Sequence, residues 1–141
     1  MKNATRQLTA LLIAALLLCS LCACGKPNKD PVDAEARLRE AGYVVVKSDT
    51  AMPAHFKAFA CELTCMLTAT KTTTDKEGNA VTQLVVIYYF ADEENAEKGM
   101  TKVKEHAAQD EDEISADMWI APKRSGAMVY YGTKAAFKAT K

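Results

Sequence analysis

Apolar residues recur along the chain with two different periods, and these periods predict helices and strands. Two segments have helical spacing, with apolar stripes at Ala34, Leu38 and Ala41 and at Ala96, Met100, Val103 and Ala107. The first helix begins with a good N-cap, Asp30, followed by Pro31 at a favourable first position, and it ends at Gly42. Asp92 begins the second helix, whose acidic residues 93–94 are stabilised by the helix dipole.

A second set of segments has strand character. Residues 43–47 are rich in valine and predict a strand. In residues 61–71 apolar and polar side chains alternate with period two, which predicts a half-buried strand. Its inward face would carry Cys61, Leu63, Cys65, Leu67 and Ala69. Residues 81–90 are apolar nearly throughout and predict a central strand, joined to the preceding strand by the polar turn 75–79.

The remaining elements complete an α+β pattern. Residues 117–121 and 127–131 predict a last hairpin with its turn at 122–126, and Thr133 is positioned to cap a short helix ending at Phe137. The order is helix, three strands, helix, two strands and a short helix. Runs of adjacent strands indicate an antiparallel sheet of about five strands. We expect helices to pack mainly on one face of this sheet.

The N-terminal segment has a different pattern from the rest. Lys2 and Arg6 precede an apolar run, which is followed by the sequence Leu21-Cys22-Ala23-Cys24. A basic start, a short apolar run and small residues near its end are typical of a secretory signal peptide. The four-residue sequence resembles the lipobox of bacterial lipoproteins. That resemblance implies cleavage after Ala23 and attachment of diacylglycerol to the sulfur of Cys24, with residues 1–23 as the signal peptide.

Two alternatives to a lipoprotein signal remain open. The segment could be an uncleaved membrane anchor, although the run 8–24 is shorter than the roughly 20 residues of a spanning helix. It could also be an ordinary signal peptide that is cut elsewhere. The lipoprotein interpretation predicts an extracytoplasmic protein held on the cell membrane, with residues 24–30 as an unpacked tether and 31–141 as one domain.

Composition limits the classes of function. The 141 residues carry 18 basic and 18 acidic side chains, and they are sufficient for a single domain. Cleavage after Ala23 would leave 118 residues with 16 basic and 18 acidic side chains. A balanced charge excludes a strongly basic nucleic-acid-binding protein.

Candidate chemistry centres on the two cysteines outside the N-terminal segment. Four residues along a strand span roughly 13 Å, too far for a disulfide, so Cys61 and Cys65 are predicted to be unbridged, buried thiols. With His55 and His106 they do not match the ligand spacing of a zinc site, and an inward thiol is poorly placed for nucleophilic catalysis. We therefore predict no catalytic residue, metal or cofactor.

Aromatic residues provide the candidate binding surface. The adjacent tyrosines Tyr88 and Tyr89 lie in one predicted strand, and Tyr130 and Tyr131 lie in another. Alternation sends one member of each pair to each face, so a face without helices would display tyrosine, which suits recognition. If both faces are covered, the same rings belong to the core. Further candidates are Phe56 and Phe59, in residues 51–60, a segment compatible with a short helix or a loop.

Three hypotheses of function follow from these features. The first is a lipid-anchored module that binds an unknown protein or small ligand. The second is an extracytoplasmic hydrolase or thiol enzyme, and the third is an inhibitor or stability factor in an envelope complex. Short stretches around Tyr43, Phe90 and Gly132 resemble small uncharacterised secreted proteins of Gram-positive bacteria, a resemblance that implies no activity.

Overall fold

The computed structural model describes residues 26–48 and 61–141. In this part of the chain the elements follow the predicted order, which confirms the α+β class and the five-stranded antiparallel sheet. The helices are α1 (Pro31–Glu40), α2 (Glu93–Glu111) and α3 (Lys134–Ala139). The strands are β1 (Val44–Ser48), β2 (Leu63–Thr74), β3 (Ala80–Phe90), β4 (Trp119–Ser125) and β5 (Met128–Thr133). Their order in the sheet is β1-β2-β3-β5-β4, so β1 and β4 are the edge strands.

The predicted ends of the longer helices are confirmed by their caps. The Asp30 carboxylate accepts a hydrogen bond from the backbone N–H of Val32 at 2.8 Å, and that of Asp92 accepts from Asn95 at 2.8 Å. Gly42 follows α1 with a φ of 84°, the left-handed conformation that ends a helix. The α3 helix differs from the prediction because Thr133 does not cap it with its side chain. Its hydroxyl donates instead to Gln83 Oε1 at 2.8 Å.

The last hairpin has a tighter turn than the sequence pattern predicts. Strand β4 continues to Ser125, and only residues 126–127 form the turn, so the predicted turn at 122–126 is wrong. Pro122 lies inside this strand, where its missing N–H costs little because β4 is an edge strand. The pairing register also shifts between Ile120 and Lys123, next to the proline.

Both faces of the sheet are covered by helices. Helices α1 and α3 pack on one face, the α1/α3 side, whereas the longest helix, α2, packs on the other face, the α2 side. The expectation that helices lie mainly on one face is therefore corrected. The reason is that β3 and β5 are buried on both faces, and each face needs its own apolar cover.

A bulge in β2 separates the two cysteines. The register of β2 against β3 shifts between Leu63 and Cys65. As a result Cys65 packs on the α1/α3 side, whereas Leu63 and the half-buried Cys61 pack on the α2 side. The extra residue of a bulge re-aims the side chains that precede it, so the predicted alternation fails at this point. Cys61 and Cys65 are not bridged to each other by a disulfide.

Candidate functional site

The predicted anchor residues, Ala23 and Cys24, lie outside the described residues, as do Phe56 and Phe59. The chain packs onto the domain from Pro27 onward. Pro27 is buried, and the N–H of Asn28 donates to Thr140 Oγ1 at 3.1 Å. The expectation of an unpacked tether over 24–30 is therefore corrected from residue 27 onward.

The contact of Asn28 with the domain also uses one of the candidate tyrosines. The Tyr89 hydroxyl donates to the Asn28 carbonyl oxygen at 2.9 Å. Burial raises the pKa of this hydroxyl well above its usual value, so it stays protonated and remains a donor at neutral pH. Asn28 is thus held beside the C-terminal turn of the chain by its bonds to Thr140 and Tyr89.

All four candidate tyrosines are buried, which corrects the expectation that they form an exposed surface. Tyr89 and Tyr130 belong to the core of the α1/α3 side, and Tyr88 and Tyr131 to that of the α2 side. Each is less than a tenth exposed. Their alternation between faces follows the sequence pattern, but β3 and β5 lie in the middle of the sheet, where both faces are covered.

The α2 side contains a polar cluster inside its apolar core. The Tyr88 hydroxyl lies 3.1 Å from His106 Nδ1, and the Tyr131 hydroxyl donates to Asp110 Oδ2 at 2.6 Å. The Trp119 ring packs against the Tyr131 ring at a centroid distance of 5.5 Å. These contacts could not be predicted from the sequence, because nothing in the local pattern pairs His106 and Asp110 with strand residues 18 to 21 positions away.

Chemically, the α2-side cluster is suited to holding a helix in place rather than to catalysis. Burial raises the pKa of Tyr88 to about 12, and the pKa of Tyr131 is also raised, by burial and by the electrostatic effect of Tyr88 and Asp110. Both hydroxyls are therefore neutral at physiological pH and cannot serve as bases. Tyr131 donates a hydrogen bond to Asp110, and Tyr88 shares one with His106, so both hydroxyls link the sheet to α2.

The cysteines offer little nucleophilic chemistry. Burial raises the pKa of the Cys61 thiol, with an opposing effect from Lys98, so the thiolate is disfavoured. Cys65 is buried in the core of the α1/α3 side, where a thiol behaves as a small apolar residue. Among residues 26–48 and 61–141, no group of three or more His, Cys, Asp and Glu side chains could hold a metal ion.

A half-open cavity of about 310 Å³ lies at one end of the sheet, beside Lys29 and Pro31. Its wall includes the Lys29 side chain, the aromatic residues Tyr89 and Phe90, and Met128. Of these, Lys29 is exposed and provides the one charged group of the wall. This volume is at the lower end of the range of small-molecule sites. The Thr64 hydroxyl on the wall already donates to the Tyr89 carbonyl, so the cavity offers few unused polar groups.

The most unusual surface is a part of the α2 side that α2 does not cover. Helix α2 packs over β3, β5 and β4, and the neighbouring part of the sheet presents two valines of β1 to solvent. Val44 is 70% exposed and Val46 is 59% exposed. They pair in register with Thr70 and Thr68 of β2. We call these four residues, Val44, Val46, Thr68 and Thr70, the open strip.

Sequence reasoning predicted the strand but not the open strip. Three consecutive valines, 44–46, cannot all face one side, because successive side chains of a strand alternate. Val45 is buried on the α1/α3 side, so its two neighbours must face the other way. Whether a helix covers them depends on the placement of α2, which the local pattern does not encode.

Comparisons with known proteins add no relative. No protein-family model, curated protein or solved structure matches this chain. None of the helices within the described ranges is long and apolar enough to cross a membrane.

Proposed function

We propose that this protein is an extracytoplasmic lipoprotein, anchored to the cell membrane through Cys24, that binds a protein partner through the open strip. The observation that carries the binding proposal is the exposure of Val44 and Val46 on a strand whose other face is packed in a core. These two valines form a small apolar patch on the sheet face, and an apolar patch marks a contact surface when it is part of a larger contiguous area. The lipobox resemblance of Leu21-Cys22-Ala23-Cys24 supports the anchor.

A protein partner suits this surface better than a small molecule. Small ligands bind in concave sites, whereas the open strip is part of a sheet face. Two strands about 4.8 Å apart and about three residues long cover roughly 100 Å². A stable interface buries about 800 Å² on each partner. The open strip is therefore proposed as the apolar centre of a larger contact.

The partner is expected to lie on the face of β1 rather than to extend its edge. The carbonyl oxygen of Val45 accepts a hydrogen bond from Arg39 Nη2 at 3.0 Å. Glu35 holds the Arg39 guanidinium at 2.9 Å and lies 3.7 Å from the Lys47 ammonium. Charged side chains along an edge strand oppose the addition of another strand.

The anchor is tested by mass spectrometry of the protein extracted from membranes. We expect a mature chain that begins at Cys24 and carries diacylglycerol, and we expect Cys24→Ser to prevent both modification and cleavage. The neighbouring Cys22→Ser is the matched control and should be processed normally. An unmodified Cys24, or a chain that begins elsewhere, would contradict the anchor.

The binding surface is tested by affinity purification of the full chain from membranes after gentle solubilisation. We expect Val46→Lys to abolish recovery of a specific partner, because a lysine would place a charge at the apolar centre of the contact. Val32→Lys is the matched control, since Val32 is 61% exposed but lies on α1, on the other side of the sheet. Equal recovery with both variants would contradict the role of the open strip.

A further inference from the structure

The point where the N-terminal segment leaves the domain limits how far the domain can lie from a lipid on Cys24. Pro27 is buried, and Asn28 bonds to Thr140 and Tyr89. Three residues separate Cys24 from Pro27, and a fully extended chain spans at most about 3.6 Å per residue. The first packed residue therefore lies within roughly 11 Å of the acylated cysteine.

The surface around this exit point is basic. Lys26 and Lys29 flank Asn28, and Lys138 and Lys141 flank Thr140, its partner. All four lysines are exposed. The nearest acidic side chain in sequence is Asp30, which caps α1.

The two helical layers carry net charges of opposite sign. On the α1/α3 side, residues 26–40 and 134–141 carry seven basic and four acidic side chains, a net charge of +3. On the α2 side, residues 92–117 carry three basic and ten acidic side chains, a net charge of −7. The two layers lie on opposite faces of one sheet.

We infer that the α1/α3 side binds the anionic headgroups of the membrane to which the protein is anchored, and that the α2 side faces away from it. This inference rests on the proposed anchor. The exit point lies about one Debye length from the lipid surface, since that length is about 10 Å at 0.1 M salt. At this distance each lysine is attracted to anionic lipid, whereas the acidic α2 layer is repelled.

This orientation is compatible with the proposed binding surface. The open strip shares the α2 side of the sheet, so it would face away from the lipid and be accessible to a partner. The exposed Val32 of α1 lies on the opposite side, towards the headgroups.

The test is sedimentation of a chain of residues 25–141 with lipid vesicles. Every core residue among those that the structure describes lies within this range, and a thermal unfolding transition verifies that this chain folds. We expect it to sediment with vesicles of phosphatidylcholine and phosphatidylglycerol but not with phosphatidylcholine alone. Binding should disappear at roughly 1 M salt, where the Debye length is about 3 Å.

Matched lysine variants locate the contact. Replacing Lys26, Lys29, Lys138 and Lys141 by Gln should weaken vesicle binding by at least a hundredfold, since each lysine near an anionic surface contributes roughly fivefold. Replacing Lys76, Lys98, Lys102 and Lys104 by Gln changes the net charge equally but should leave binding unchanged. Binding to neutral vesicles, no binding to anionic vesicles, or equal loss in both variants would overturn the inference.

These outcomes are separate from those of the anchor test. The chain of residues 25–141 lacks Cys24, so vesicle binding reports only on the surface of the domain. A failure here would leave acylation of Cys24 intact as a proposal. Conversely, an unmodified Cys24 together with salt-sensitive vesicle binding would reject the anchor alone.

Discussion

The two sides of the sheet are built in different ways. On the α1/α3 side, short helices pack through apolar contacts, such as the perpendicular rings of Tyr130 and Phe137 with centroids 5.3 Å apart. Helix α1 also donates a hydrogen bond from Arg39 to the Val45 carbonyl, but this bond lies at the edge strand β1 and not between central strands. On the α2 side, one long helix packs through apolar residues and also through the contacts of Tyr88 with His106 and of Tyr131 with Asp110. Apolar packing is not directional, whereas hydrogen bonds fix one arrangement.

This difference explains why the α2 side has an uncovered part. The polar contacts hold the C-terminal half of α2 over β3 and β5, and the helix continues towards β4 rather than towards β1. Two short helices, by contrast, divide the other face, with α1 over β1 and β2 and α3 over β3 and β5. The open strip on β1 and β2 is thus a consequence of where α2 is fixed.

The substitution with the largest expected effect on stability lies in β5, which pairs with β3 in the middle of the sheet. Gly132 of β5 has a φ of 139°, and a Cβ there would overlap the backbone oxygen of Leu84 on β3. We expect Gly132→Ala to destabilise the protein by at least about 5 kcal/mol, enough to prevent folding, because the backbone itself must move.

Circular dichroism and urea unfolding would measure the effect at Gly132. Gly78→Ala is the matched control, since Gly78 also has a positive φ but a Cβ there meets nothing within 4 Å. It should cost only about 1 kcal/mol. If Gly132→Ala folded as stably as the control, the close pairing of β3 and β5 would be wrong.

The α1/α3 side is tested by Phe137→Ala. Phe137 is 2% exposed and packs against Tyr130. Removing the ring should lower the free energy of unfolding by about 3 to 5 kcal/mol, because the cavity lies in an apolar core. Urea unfolding measures this, and a loss below about 1 kcal/mol would mean that α3 is not part of that core.

Alkaline pH should destabilise the α2 side through its buried tyrosine hydroxyls. Burial raises the pKa of Tyr88 from 10.0 to about 12, so the folded state keeps a proton that the unfolded chain releases. Its contribution is complete below pH 10 and is lost as pH rises towards 12. The loss from Tyr88 alone is about 3 kcal/mol, and the raised pKa of Tyr131 acts in the same direction.

Urea unfolding at a series of pH values checks the alkaline loss. Tyr88→Phe removes the ionisable hydroxyl together with its contact to His106. The free energy of unfolding should therefore fall less steeply with pH above pH 10 in this variant. An unchanged slope in this variant would show that Tyr88 ionises as freely in the folded protein as in the unfolded chain.

A smaller effect is expected from removing one hydroxyl of the polar cluster. Tyr131→Phe keeps the ring but leaves Asp110 Oδ2 without its 2.6 Å donor. Because Asp110 is half-exposed and can bind water, we expect a loss of about 1 kcal/mol. Tyr130→Phe, the neighbouring change on the α1/α3 side, should cost less. If the two variants lost equal stability, the proposed contrast between the sides would fail.

Structural features that depend on a single local pattern could be predicted from the sequence. The caps at Asp30 and Asp92, the alternation from Cys65 to Ala69 and the central strand β3 could all be predicted. The bulge after Leu63 and the inclusion of Pro122 in β4 could not, because both depend on pairing with another strand.

The candidate site was less predictable than the fold. The tyrosines were correctly divided between faces, but their burial depends on helices from distant parts of the chain. Val44 and Val46 were recognised only as strand residues, since their exposure results from the placement of α2. The packing of Asn28 requires Thr140, which is 112 positions away.

The most direct test of the account is photo-cross-linking in cells that produce the full chain, with a benzophenone amino acid at position 46 or at position 32. Both positions are well exposed, but Val46 belongs to the open strip and Val32 to the α1/α3 side. We predict a discrete protein adduct from position 46 and no protein adduct from position 32, where the probe would face lipid. Protein adducts from position 32 alone, or equally from both, would contradict the proposed binding surface and orientation.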